Sequence, residues 1–82
     1  MANKTMAARR AVYRLLYEQR VEKPGVYFSA PEISYVASDP ELSAALFFGL
    51  EMGHLETRRG HWRMTALGML HAETENYVEG ED

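Results

Sequence analysis

Arg58 and Arg59 run directly into Gly60, and Arg63 follows three residues later. Guanidinium groups carried on a tight glycine turn can hold phosphate oxygens or enter a minor groove, because each presents a fixed fork of charged donors. The plainer reading of the same residues is a solvated turn tip. Arg9, Arg10 and Arg14 form a second basic group, fit either to touch a flanking phosphate backbone or merely to keep a helix face in water. His54, His61 and His71 are the remaining candidates for chemistry, since neutral imidazole is a common metal ligand. His54 and His61 are spaced to face each other across a hairpin, but no cysteine or close acidic triad completes a coordination set, so structural or surface roles are expected. No glycine-rich phosphate loop, nucleophile elbow or His-Glu-x-x-His stretch occurs. A chain of 82 residues packed around its own core leaves little room for a substrate pocket, so neither catalysis nor a cofactor is expected.

The net charge of -3 conceals a segregated distribution. Residues 1 to 23 carry six basic and two acidic side chains, and residues 24 to 57 carry five acidic and none basic. Arg58, Arg59 and Arg63 are the only Lys or Arg residues of 58 to 72, which holds no acid, and residues 73 to 82 hold five acids and no base. Any polyanion must therefore be met by the first or third block. The absence of cysteine excludes disulfides and thiolate metal sites. The apolar-rich window from Leu42 to Leu55 is broken by Gly49, Glu51, Gly53 and His54, too short and polar to span a bilayer. The first residues lead straight into an amphipathic pattern without a secretion signal, and the expected compartment is the cytoplasm.

Positioning these residues requires a small set of elements in one domain, residues 1–82, with a core from about 5 to 76 and an acidic tail from about 77 to 82. A first helix is predicted from Met6 to Arg20, capped by Thr5, with Ala8, Val12, Leu15, Leu16 and Gln19 inward. Pro24-Gly25 reads as a turn, and Val26-Tyr27-Phe28 as a short strand. Ser29-Ala30-Pro31-Glu32 fits a capping box opening a second helix to about Ala37, with Ile33 and Val36 or Ala37 inward. Ser38 or Asp39 then caps a third helix begun by Pro40, whose inward stripe is Leu42, Ala45, Leu46, Gly49 and Leu50, with Gly53 as its C-cap. His54 to Thr57 and His61 to Met64 read as a hairpin with Leu55, Trp62 and Met64 inward and Arg58-Arg59-Gly60 as its turn. Thr65 caps a last helix to about Asn76, with Leu67 and Leu70 inward, and Met69 or Tyr77 as further candidates.

The predicted class is α+β, mainly α, in the order helix, strand, helix, helix, strand, strand, helix. The first strand can join the hairpin as a three-stranded sheet, leaving helices two and three as a helix-turn-helix. In this order, Leu50-Glu51-Met52-Gly53-His54-Leu55-Glu56, Arg58-Arg59-Gly60 and Trp62-Arg63-Met64-Thr65-Ala66-Leu67-Gly68 resemble the winged helix-turn-helix domains of small bacterial and phage transcriptional regulators. The resemblance spans about Thr5 to Asn76 and implies a third helix in the major groove, a wing on the minor groove or phosphates, and a homodimer on paired half-sites of double-stranded DNA.

Helix three is an unusual reading head for that purpose. Its expected outward residues are Glu41, Ser43, Ala44, Phe47, Phe48 and Glu51, and no Arg, Lys, Asn or Gln lies between Pro40 and Gly53. The DNA reading therefore rests on Arg58, Arg59 and Arg63, with Ser43, Arg9, Arg10 and Arg14 in support. The competing reading is a protein-interaction module in which Ala44, Phe47 and Phe48 form an apolar patch for a protein partner or a second copy. Phe47 and Phe48 point about 100° apart, so one of them is expected in the core. A third reading, a nucleic-acid mimic, rests only on the acidic 24 to 57 block and tail. Trp62 is expected to anchor the sheet.

Overall fold

The computed structural model describes residues 4–33 and 39–77. Its elements are α1 (Lys4–Glu22), β1 (Phe28–Ser29), α2 (Ala30–Ile33), α3 (Asp39–Met52), β2 (Leu55–Arg58), β3 (His61–Met64) and α4 (Ala66–Thr74). The class is α+β and mainly helical, and the order of elements is the one the sequence predicts. The expected continuation of the second helix to Ala37, the inward Val36 or Ala37, the Ser38 cap and the tail from 78 to 82 lie outside the described residues.

The sheet is antiparallel with β3 in the centre, in the order β1, β3, β2. Phe28 pairs with Trp62 on one side, and Leu55 with Met64 and Glu56 with Arg63 on the other. Alternation sends Leu55, Trp62 and Met64 inward, where all three are buried. Arg58 belongs to β2, so the turn is Arg59-Gly60 and not three residues long. Both have positive φ, 54° and 80°, as a two-residue turn matched to strand twist requires.

α1 packs chiefly on α3, through Ala8, Val12, Tyr13 and Leu16. The helix begins at Lys4, so Thr5 lies inside it and not at its cap, and it runs two residues past Arg20 before the turn at Pro24-Gly25. At α2, Glu32 accepts from the Ser29 amide and hydroxyl at 3.3 and 2.9 Å, which is the returning half of the expected capping box. Those two hydrogen bonds hold the Glu32 carboxyl below its ordinary pKa.

Gly53 closes α3 in the left-handed region, φ 82°, and the His54 amide donates back to the Gly49 carbonyl at 2.8 Å. The inward stripe of α3 is Leu42, Ala45, Leu46 and Gly49. Leu50 lies 100° further round, past the edge of that stripe, and is exposed. α4 differs more from expectation: Leu67 and Leu70 are 54% and 59% exposed, while Gly68, Ala72 and Tyr77 are buried. The cause is close approach. A Cβ on Gly68 would overlap the His54 carbonyl oxygen, so the helix can dock only on its small-residue face, which turns the leucines outward. Tyr77 consequently belongs to the core and not to the acidic tail.

Candidate nucleic-acid interface

The hairpin is rigidly mounted. Thr65 accepts from the Gly68 amide at 3.0 Å, capping α4, and its hydroxyl donates to the Gly53 carbonyl at 2.6 Å, which ties the end of β3 to the end of α3. The Arg20 Nε donates to the Met64 carbonyl at 3.0 Å, fastening the C-terminal part of α1 to β3.

On this support the three wing arginines have different surroundings. Arg63 donates through Nε and Nη2 to the Glu56 carboxylate directly across the ladder, the Nε contact being 2.8 Å, and through Nη1 to the Pro24 carbonyl at 2.6 Å. Its donors are thus spent inside the molecule. Arg58 is exposed, with its guanidinium 5.1 Å from the centre of the Tyr27 ring, and Arg63 flanks the same ring at 4.9 Å. Contacts of this kind at exposed sites are worth roughly 0.5–1 kcal/mol, enough to orient Arg58 without neutralising it. Arg59 is exposed at the turn, and among the described residues neither it nor Arg58 is paired with a carboxylate. His61, exposed beside them, donates from Nδ1 to the Arg59 carbonyl at 3.1 Å across its own turn.

α3 meets the hairpin at a defined point. The Phe47 ring stands edge-on to Trp62, with centroids 5.9 Å apart, only two residues from Gly60. Phe47 remains 55% exposed, and with Pro40, Ser43, Ala44, Leu50 and Glu51 it forms an exposed stripe at helical spacing. That stripe therefore borders the inner face of the hairpin at Trp62. The two phenylalanines separate as their spacing requires: Phe48 is half-buried, with the Arg9 guanidinium 3.6 Å above its ring and its other side towards His54.

The helical arginines lie elsewhere. Arg10 and Arg14 line an open groove of about 760 Å³ together with Leu15, Asn76 and Tyr77. Arg14 is 3.5 Å from Glu18, and Arg10 sits 5.6 Å from the centre of the Tyr77 ring. From Arg10 to the end of α1 at Glu22 is roughly 18 Å along the helix axis, and the hairpin is fastened beyond that end, at Pro24. Arg10 and Arg14 thus form a patch separate from the wing arginines, while Arg20, further along α1, is bonded to β3.

The histidines separate too. His54 does not face His61; it lies between α3 and β2, buried against Tyr13 and His71. Among the described residues no group of three or more His, Asp or Glu is placed to hold a metal ion, and no helix is long and apolar enough to cross a membrane. Sequence reasoning missed Tyr27 as the platform for Arg58 and Glu56 as the partner of Arg63. The second was accessible in principle, because a two-residue turn at Arg59-Gly60 puts positions 56 and 63 opposite each other. No protein-family model matches the chain, and no curated protein or solved structure matches it either.

Proposed function

We propose that this chain is a winged helix-turn-helix domain that binds duplex DNA through its wing, as a cytoplasmic transcriptional regulator acting as a homodimer and without catalytic activity. The observation that carries the reading is the surface made by the β2–β3 turn and α3. Arg58 and Arg59 stand exposed on the hairpin and, among the described residues, without carboxylate partners, and the Phe47–Trp62 contact sets the exposed stripe of α3 against the inner face of the same hairpin. Arg59 stands at the turn beside that stripe, while Arg58 lies with Tyr27 and Arg63 on the opposite face of the sheet, so a duplex that meets both guanidinium groups straddles the tip of the hairpin. Ser43 is the one hydroxyl on the exposed stripe described above, and supplies a neutral donor to the backbone. With no Arg, Lys, Asn or Gln on α3, binding is dominated by phosphate contact and discriminates weakly between sequences.

The test is titration of the full chain against duplex DNA at low and rising salt. Arg58→Ala with Arg59→Ala should weaken binding and lower the steepness of its salt dependence by about two, since each phosphate contact contributes about 0.9 to that slope. Arg63→Ala should have the smaller effect on the slope, because Arg63 is held by Glu56 and Pro24.

The exposure of Phe47 favours one second reading: an interaction module in which Ala44, Phe47 and Leu50 hold a protein. Phe47→Ser would then abolish partner capture or self-association while duplex affinity stays unchanged.

A further inference from the structure

At the junction of α1, α4 and the turn after α3, four aromatic side chains form a closed group that the proposed DNA contact does not use. His54 is 4% exposed, and its Nδ1 is 2.6 Å from the Tyr13 hydroxyl. The His71 ring stacks on it, centroids 4.2 Å apart and planes 20° from parallel. Tyr77 meets both Tyr13 and His71 edge-on, each at 5.5 Å. The backbone is gathered at the same point, since the His54 carbonyl accepts from the Thr65 amide at 2.8 Å and Gly68 lies against that carbonyl. The group therefore joins α4 and the residues after it to the rest of the molecule.

We propose that the His54–His71 stack is an acid-sensitive latch: with both imidazoles neutral it fastens α4 and Tyr77 to α1, and on protonation it releases them. The hydrogen bond sets the first part of the mechanism. In the Nε2–H tautomer of neutral His54 the Tyr13 hydroxyl donates to Nδ1; a proton arriving at Nδ1 reverses the polarity of that bond and leaves the hydroxyl proton without its acceptor. Stacking sets the second part, because two charged imidazoles at 4.2 Å repel, and among the described residues neither is ion-paired with a carboxylate.

Among the described residues, the groups in contact with the stack include no carboxylate. α1 contributes Tyr13, Arg9 above Phe48, and Arg10 beside Tyr77; α3 contributes Phe48 and Gly49; α4 contributes His71 itself. Across the α1–α4 junction Glu73 accepts from the Tyr17 hydroxyl at 2.5 Å on the exposed side, and Glu75, exposed, follows His71 by one helical turn. Burial, followed by the neighbouring His71, holds His54 below its ordinary pKa of 6.5, while burial pushes the Tyr13 hydroxyl up, so it stays a donor. The sign follows: the unfolded or released chain binds protons more readily than the latched one, so the latch is intact above about pH 6.5 and is lost as pH falls below it.

The test is a pH titration of the full chain by NMR between pH 7.5 and 5, following the two imidazole Cε1 protons and the ring protons of Tyr77. The expected result is that Tyr77 loses its ring-shifted resonances in step with the imidazoles. His71→Phe, which keeps a ring in the stack, should halve the steepness of that change. His54→Gln combined with His71→Phe should hold the Tyr77 resonances constant, and Glu73→Gln should leave the wild-type midpoint where it is. Tyr77 and α4 resonances that stay fixed while the imidazoles titrate would overturn the latch. So would an unchanged transition in the His71→Phe chain, or its loss in Glu73→Gln.

Discussion

Phe47 and Phe48 are adjacent and chemically identical, yet one is exposed beside Trp62 and the other is half-buried beneath Arg9. The difference predicts distinct outcomes for the same substitution. Phe48→Ser should cost about 2–4 kcal/mol in chemical denaturation, as loss of a packed aromatic ring does, whereas Phe47→Ser should cost under about 1 kcal/mol. The glycines make an equally local prediction. Gly68→Ala places a methyl on the His54 carbonyl and should destabilise by about 3 kcal/mol or more, because the opposing atom is backbone and cannot step aside. Gly60→Ala meets no neighbour but sits at φ 80°, so it should cost roughly 1–2 kcal/mol through backbone strain alone.

At the scale of elements, Thr65 couples three of them: it caps α4, follows β3 and holds the end of α3. Thr65→Ala should lower stability by about 1–2 kcal/mol, measurable as a shift in denaturation midpoint with little change in its slope. The elements themselves were largely legible in the sequence. Gly53 as a C-cap, Thr65 as an N-cap, the alternation of Leu55, Trp62 and Met64, and the turn at Gly60 are local signals, each read from a few neighbours. Orientation was less legible. Leu67 and Leu70 have the spacing of an inward stripe, but α4 is set by how closely Gly68 and Ala72 let it approach the Gly53-His54 turn, which is a tertiary fact. Tyr13 was missed for a related reason: it has a polar tip, and only the fold supplies His54 as its partner. Of the candidate site, Arg59 stands in the turn as the hairpin reading put it, Arg58 ends β2 instead, and the Glu56 pairing of Arg63 required the register.

At the scale of the whole molecule, Arg10 and Arg14 line the groove beside Tyr77 while Arg58 and Arg59 stand on the hairpin, with the exposed stripe of α3 bordering the latter. This arrangement predicts different salt responses for the two. Substituting Arg10 and Arg14 with alanine should change duplex affinity by less than about threefold, because these side chains face the Tyr77 groove, whereas the wing pair should account for most of the electrostatic dependence. The most direct measurement is the slope of duplex affinity against salt for the unmodified chain and for Arg58→Ala with Arg59→Ala. The account predicts measurable binding at low salt and a slope lower by about two in the double variant. No binding to any duplex at low salt, or an unchanged slope in a folded double variant, would contradict it.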